Sequence, residues 1–242
     1  LIQVTKDSAL MLMSLIKKGL TPSKIVTQKS FENAIMVHAA IAGSSNTLIH
    51  MPAIANELGF ELNADLFDQI HRKIPWLLNC RPSGQYPAEL FVYAGGVPGI
   101  MNEIKEFLHL DEMTVTGKTV GENLNDLKNN GFFNEGYKGL ENYNVKPEEV
   151  IRPASNPLNK EGAIAILKGN IAPEGSVTKH SAIAKEMQQV TLRARVFECE
   201  EDALKAVLSK EIKPGDAVII RYEGPKGSGM PEMFYTTEAI AS

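Results

Sequence analysis

Residues 30–47 read SFENAIMVHAAIAGSSNT, and this stretch decides the fold of the N-terminal half of the chain. Its apolar residues fall on nearly every side of a 3.6-residue period, which predicts a central helix that is buried all round. Thr27 lies just before this helix and can cap its start, and Gly43 predicts its end. A second helix is predicted over residues 48–59, where Pro52 is tolerable only within the first turn.

The sequence around this stretch extends the helical pattern to about residue 110. Apolar spacing predicts helices over 7–19 and 63–75, and a glycine-broken pair of helical segments over 88–108. Residues 113–130 predict a short β-like run, a turn and a short helix. Residues 131–162 are polar and rich in Gly, Asn and Pro, which predicts an irregular connection.

Beyond this connection the pattern changes to strands. Strands are predicted within 163–173, 189–198 and 216–224, with an amphipathic helix over 199–212. The predicted fold class is therefore α/β, with a mostly helical region over 1–150 and a β-rich region over 151–242.

Composition excludes several classes of protein. The chain has 242 residues, of which 43% are hydrophobic and 22% charged, as in an ordinary globular protein. The net charge of −4 gives no basic face for nucleic acid. No apolar run approaches the roughly 20 residues of a membrane span. Two distant cysteines form no zinc or disulfide pattern, and a cytoplasmic location is predicted.

Three segments could carry chemistry. The loop GSSNT, 43–47, brings hydroxyls and an amide to a helix N-terminus, which favours an anion; simple N-capping by Ser44, Ser45 or Asn46 is the alternative. The glycines of YAGGVPG, 93–99, could bring backbone close to a ligand or simply permit close helix packing. Residues 169–181 contain Lys179 and His180, which could meet an anionic substrate or belong to a solvated loop. The helical histidines have no ligand spacing and are assigned no role; they are His38, His50, His71 and His109.

The segment YEGPKGSGMPEM, 222–233, is too rich in Gly and Pro for a helix interior or a central strand. It departs from the phosphate-binding P-loop because Gly227, not Ser or Thr, follows Lys226, so a nucleotide-binding protein is the weakest alternative. Glu232 is either a glutamate in the first turn of a helix that begins at Pro231, or a hard oxygen ligand for Mg²⁺.

Four segments, in this order, resemble the dihydroxy-acid and phosphogluconate dehydratase family. They are FENAIMVHAAIAGSSNTLIHMPAIA (31–55), AGGVPGIMNEI (94–104), GNIAPEGSVTK (169–179) and GDAVIIRYEGPKGSGMPEM (215–233). The details MTVTGKTVGENL and NIAPEGSV look closest to the sugar-acid (xylonate-type) dehydratase branch. The resemblance extends from about residue 7 to the end of the chain.

The resemblance implies a hydro-lyase. Such an enzyme eliminates water from a 2,3-dihydroxy acid, here a sugar acid, to give an enol that tautomerises to a 2-keto-3-deoxy acid. In the family an Fe–S cluster acts on the leaving 3-hydroxyl, Mg²⁺ holds the carboxylate and the 2-hydroxyl, and a serine alkoxide removes the C2 proton. The resemblance also implies a homodimer or a dimer of dimers.

The family's motifs assign roles to particular residues of this sequence. Glu232 occupies the glutamate of the family's GMPEM motif, which implies a Mg²⁺ ligand. GSSNT matches the family's glycine- and hydroxyl-rich loop, which implies that Ser44, Ser45, Asn46 and Thr47 face the substrate. No proton-transfer role is assigned to either serine.

The sequence also departs from the family's pattern. Cys80 and Cys199 do not match the cluster cysteines, which the family places upstream of this sequence, and the base serine is expected after Ser242. The resemblance therefore implies the C-terminal part of an α/β N-terminal domain (1–150) and the first part of a barrel-like, swivelling domain (151–242). We expect this chain to be inactive alone. The alternative is a non-catalytic ligand-binding or assembly module that retains the dehydratase fold.

Overall fold

The computed structural model describes residues 2–229 and 233–242. Contacts within the chain define two compact units, divided between Ala182 and Ile183.

The first unit is mostly helical. Its helices are α1 (Ile2–Lys17), α2 (Pro22–Ile25), α3 (Gln28–Ala40), α4 (Thr47–Glu57), α5 (Ala64–His71), α6 (Ala88–Tyr93), α7 (Gly96–Glu103), α8 (Val120–Asn129), α9 (Phe132–Glu141) and α10 (Pro147–Val150).

Helix α3 is the centre of this unit, as the sequence predicts. Ile35, Ala39 and Ala40 are completely buried in a core that is shared with α5 and α7. The start of α3 is fixed by a capping box: the Thr27 hydroxyl accepts from the backbone N–H of Ser30, and the Ser30 hydroxyl accepts from that of Thr27. The predicted cap is confirmed.

A β-hairpin closes the first unit. Strand β1 (Ile164–Leu167) pairs antiparallel with β2 (Ser176–Lys179), and Ile164 lies opposite Lys179. The hairpin is tied to α5, because the Ile166 N–H donates to Asp68 Oδ1 at 3.0 Å and Arg72 Nη2 donates to the Ile164 carbonyl at 2.8 Å. These bonds place the start of β1 against the C-terminal end of α5.

The second unit contains a β-α-β arrangement. Strands β3 (Arg193–Phe197) and β4 (Asp216–Ile220) are parallel, and α11 (Glu200–Leu208) connects them. Parallel neighbours require such a crossover, which explains the amphipathic helix predicted between these strands. The short helices α12 (Pro225–Ser228) and α13 (Phe234–Ala241) follow.

The α/β class is confirmed. The four described strands form two separate two-stranded sheets and do not close a barrel. The barrel-like, swivelling character of residues 151–242 and the division into 1–150 and 151–242 stay predictions. None of the described helices is long and apolar enough to cross a membrane.

Three local expectations differ from the structure. Pro52 lies in the second turn of α4 rather than the first, where its ring removes the donor that would bond to the Leu48 carbonyl. Residues 132–141 form α9 instead of an irregular connection. Residues 176–179 form β2 instead of a loop.

Candidate functional site

The loop between α3 and α4 contains the predicted substrate-binding residues. Asn46 occupies the N-cap position of α4, but its backbone is already helical and its side chain makes no capping hydrogen bond. The Ser44 hydroxyl instead accepts from the Asn46 N–H at 3.3 Å. Ser44 and Ser45 are exposed, whereas Asn46 and Thr47 are half-buried. The loop therefore presents its two serines to solvent and does not act as an ordinary N-cap.

Two buried histidines, His38 and His71, support this loop on the side that faces the core. His38 Nε2 lies 2.9 Å from the Ser44 carbonyl, and His38 Nδ1 lies 3.1 Å from His71 Nε2. His71 Nδ1 lies 3.3 Å from the backbone nitrogen of Ile164, at the start of β1. One continuous chain of hydrogen bonds thus runs from β1 through α5 and α3 to the loop.

The two backbone ends of this chain fix where the ring hydrogens lie. A carbonyl can only accept, so His38 Nε2 carries a hydrogen; a backbone N–H can only donate, so His71 Nδ1 carries none. The contact between the rings then requires His71 Nε2–H to donate to His38 Nδ1. Both rings are neutral, with the hydrogen on Nε2. An added proton would place two hydrogens face to face, either between the rings or against the Ile164 N–H.

Burial favours this neutral state. His71 is fully buried and His38 is nearly so. Burial is the main cause that lowers the pKa of His71 from 6.5 to about 3, and electrostatic interactions with His38, Arg72 and His180 lower it further. Burial also lowers the pKa of His38, against the opposing effect of its bond to Ser44, and the Lys179 ammonium lowers it further.

Two glycines make room for the rings. A Cβ atom on Gly43 would lie 2.1 Å from His38 Cδ2, and one on Gly162 would lie 2.4 Å from His71 Nδ1. No side chain fits at such distances, so glycine is required at both positions by the ring beside it. Gly43 therefore does more than end α3: it lets the loop pass directly over His38.

Lys179 and His180 also make hydrogen bonds to the backbone near these two histidines. Lys179 Nζ donates to the Ala42 carbonyl at 2.7 Å, and His180 Nε2 donates to the Gly162 carbonyl at 2.8 Å. Ala42 is buried and has a positive φ of 52°, an uncommon conformation for a residue with a Cβ. The sequence suggested that Lys179 or His180 could meet an anionic substrate. In the structure both side chains donate to backbone carbonyls, which is a structural role.

The glycines of YAGGVPG serve the break between α6 and α7. Gly95 and Gly96 have positive φ values of 109° and 59°, so the chain can turn between the two helices. A Cβ on Gly99 would lie 2.9 Å from Ile151 Cδ1. This geometry fits the close-packing alternative.

The residues that the structure describes do not form a metal or cluster site. Across 2–229 and 233–242, no three His, Cys, Asp or Glu side chains lie together where they could hold a metal ion. The Cys80 thiol is buried against the Pro87 carbonyl at 3.8 Å, and burial raises its pKa, which disfavours the thiolate that a cluster needs. Glu232 lies outside the described residues. No chemical step is assigned to Cys80 or to Glu232.

Comparison with known proteins identifies the family. Residues 1–123 match the model for the dihydroxy-acid/6-phosphogluconate dehydratase N-terminal region, and residues 149–242 match the model for the C-terminal region. The chain belongs to the dihydroxy-acid/6-phosphogluconate dehydratase family.

Individual relatives agree with this assignment. The chain is 47% identical over 243 residues to dihydroxy-acid dehydratase 1 of Methanosarcina acetivorans, 46% over 240 residues to the dihydroxy-acid dehydratase of Methanosarcina barkeri, and 47% over 241 residues to that of Syntrophobacter fumaroxidans. These matches cover 98–99% of this chain and 40–41% of each relative. The chain therefore spans about two fifths of the length of these dehydratases.

In this member of the dehydratase family, Ser44, Ser45 and Asn46 lie on the loop before α4, and Thr47 is the first residue of that helix. Their role toward substrate stays a prediction. Sequence reasoning missed His38 and His71. The signal was present, because a histidine within an apolar helix such as AIMVHAAIAG has to find a hydrogen-bond partner when it is buried. Nothing in the sequence indicated that the two rings would meet.

Proposed function

We propose that this chain is part of a hydro-lyase that removes water from a 2,3-dihydroxy acid. The C2 proton and the C3 hydroxide leave as water, and the resulting enol tautomerises to a 2-keto-3-deoxy acid. The observation that carries the proposal is the exposed, rigidly held serine loop at 43–47 in a member of the dehydratase family. The names of the relatives support the same reaction class.

The loop would bind and orient the acid. Ser44 and Ser45 offer hydroxyls that donate to a carboxylate or exchange hydrogen bonds with substrate hydroxyls. The loop leads into the N-terminus of α4, which has eleven residues, and the positive end of the helix dipole there favours the carboxylate end of the substrate. Asn46 and Thr47 complete the polar surface. We assign no proton transfer to these residues.

The proposal includes two cofactors, and for both it rests on the resemblance. Glu232 is proposed as a Mg²⁺ ligand. The cysteine ligands of an Fe–S cluster are proposed to come from segments other than these 242 residues. When bound, such cations stabilise the negative charges that develop as the C2 proton and the 3-hydroxide depart.

The narrower substrate proposed is a sugar acid of the xylonate type. MTVTGKTVGENL and NIAPEGSV support this choice, whereas the relatives' names specify only a dihydroxy acid. A comparison of kcat/KM for a pentonate and for a 2,3-dihydroxy acid without further hydroxyls decides between them. A higher value for the second substrate would overturn the sugar-acid assignment and leave the reaction class intact.

The remaining features proposed concern the whole protein. They are a cytoplasmic location and an assembly of two or four copies. Sedimentation of the full-length protein that carries this sequence tests the second of these, and a monomer at micromolar concentration would contradict it.

The experiment that tests the function uses this full-length protein and the variants Ser44→Ala, Ser45→Ala and the double variant. Keto-acid formation is measured against substrate concentration. Loss of each hydroxyl is expected to raise KM about three- to tenfold, as for a lost hydrogen bond worth roughly 1 kcal/mol. Ser155→Ala, an exposed serine on another loop of the first unit, is the control. Unchanged KM in the double variant would exclude the loop from substrate binding, and no keto acid from any 2,3-dihydroxy acid would overturn the function.

A further inference from the structure

The buried histidine pair carries an inference that rests on the proposed role of the 43–47 loop in substrate binding. We propose that His38 and His71 are positioning residues: together they form a neutral, one-directional hydrogen-bond chain that fixes the height and orientation of the loop relative to β1. They do not touch substrate. They determine where Ser44 and Ser45 stand when substrate arrives.

The chain joins parts of the sequence that are far apart. Its contacts link residues separated by 93 positions (Ile164 and His71), by 33 positions (His71 and His38) and by six positions (His38 and Ser44). Each contact is at least part-buried, so water does not compete freely for it. A displacement of β1 or of the loop must therefore break at least one buried bond.

Histidine is the side chain suited to both positions. A neutral imidazole accepts on one nitrogen and donates on the other, with the two atoms held by a rigid ring. An apolar side chain at position 71 would fill the space but leave the Ile164 N–H without its acceptor, and one at position 38 would leave the Ser44 carbonyl with only its bond from the Thr47 N–H at 3.1 Å. Leaving the buried Ile164 N–H unpaired would be costly, which explains His71, and His38 in turn accepts from the buried His71 Nε2–H.

Other uses of the pair do not fit the geometry. His38 Nδ1 and His71 Nε2 are 3.1 Å apart, which is a hydrogen bond and leaves no space for an ion between them. All four ring nitrogens are occupied by the chain, so neither ring has a lone pair available to act as a general base. The surrounding cations are Lys179 on the side of His38 and Arg72 on the side of His71, and they oppose a further positive charge.

Two substitutions of His38 separate the two halves of the chain. In His38→Gln the amide nitrogen stands near the place of Nε2 and can still donate to the Ser44 carbonyl, while the bond to His71 is lost. In His38→Asn the amide stands near the place of Nδ1, so the contact with His71 is kept and the loop is released. His109→Asn is the control, because His109 is a part-buried histidine of the first unit that pairs with Glu32 and does not contact the loop.

The measurement is hydrogen exchange by mass spectrometry on the full-length protein, read in peptides that cover residues 43–50. His38→Asn is expected to speed exchange in these peptides about tenfold, and His38→Gln by about threefold or less. His109→Asn leaves them unchanged. The proposal is overturned if His38→Asn and His38→Gln give equal exchange in the loop, or if either speeds exchange evenly throughout the first unit.

A second measurement does not depend on the folding of any variant. Nitrogen-15 spectra of the histidine rings in the unsubstituted protein report which nitrogen carries the hydrogen. Two neutral rings with an unprotonated Nδ1 are expected near neutral pH, and a protonated Nδ1 on either His38 or His71 would overturn the chain.

KM separates this inference from the proposed function. Faster loop exchange together with a raised KM supports both. Faster loop exchange with KM unchanged would remove the loop from substrate binding and leave the positioning chain standing. Unchanged loop exchange in His38→Asn would overturn the proposed positioning role, independently of the activity of the enzyme.

Discussion

Gly43 illustrates how a single residue sets the geometry of the candidate site. A methyl group at this position would lie 2.1 Å from His38 Cδ2, well inside van der Waals contact. We expect Gly43→Ala to push the ring off its bond to Ser44 and to lower the free energy of unfolding by about 1–3 kcal/mol, the usual cost of overpacking. Urea unfolding measures the change.

Gly169→Ala is the matched control for this prediction. Gly169 lies in the same unit, and a Cβ there would meet nothing within 4 Å. Its substitution is expected to leave the urea midpoint within experimental error. Equal effects of the two substitutions would show that the space beside His38 has no special importance.

His71 makes the stability of the first unit depend on pH. Its pKa is about 3 in the folded chain and 6.5 when unfolded, chiefly because of burial, so the unfolded chain binds more protons between these values. Stability is therefore lost as pH falls below about 6.5, by up to roughly 1.4 kcal/mol per pH unit. In His71→Gln this contribution disappears, although the variant is less stable at neutral pH.

The comparison of slopes tests this prediction. The free energy of unfolding is measured between about pH 5 and pH 7 for both proteins. The wild-type curve is expected to fall more steeply on acidification, since the contribution of the His71 ring is absent from the variant. Parallel curves would mean that His71 does not stay neutral in the folded state.

Helix α9 shows that packing against a neighbouring helix can outweigh the helix propensity of the local sequence. Gly136 and Gly139 lower the helical tendency of residues 132–141, which favoured an irregular connection. In the fold they allow α9 to lie against α6: a Cβ on Gly136 would be 2.7 Å from the Tyr93 carbonyl oxygen, and one on Gly139 would be 2.4 Å from the Tyr93 ring. Tertiary packing thus decides a helix that intrinsic propensity disfavours.

The same contact predicts the sign of a substitution. Gly136→Ala would gain roughly 0.5–1 kcal/mol of helix propensity but would force backbone apart at Tyr93, at a cost of about 1–3 kcal/mol. We expect net destabilisation, measured by urea unfolding. Asn134→Ala, at an exposed position of the same helix, tests propensity alone and is expected to be neutral or slightly stabilising. A stabilised Gly136→Ala would contradict the packing argument.

Periodicity and caps predicted most of the elements, because these signals are local. The cap at Thr27, the break at Gly95 and Gly96, and the helix between β3 and β4 were all found in this way. Strand β2 was missed because its extended conformation depends on pairing with β1, which the local sequence of residues 176–179 does not reveal. The meeting of His38 and His71 depends on how α3 packs on α5, and no pattern within either helix specifies that distance.

Among the described residues of the chain, the loop at 43–47 is well supported by hydrogen bonds, whereas no complete metal site accompanies it. The residues described between 2 and 229 and between 233 and 242 bring no three metal-ligating side chains together. Hydroxide is a poor leaving group, and its departure from a dihydroxy acid needs a cation or an acid beside it. The chain also spans only about two fifths of the length of its relatives.

We therefore expect the pure 242-residue chain to form no keto acid from any sugar acid or other 2,3-dihydroxy acid. Far-UV circular dichroism establishes first that the chain is folded, and the full-length protein, assayed in the same buffer with Mg²⁺, is the positive control. Activity in the full-length protein but not in the 242-residue chain supports the proposal that other segments supply the metal and cluster ligands. Turnover by the 242-residue chain would mean that residues of this chain suffice for the reaction, and Glu232 would then be the first carboxylate to replace.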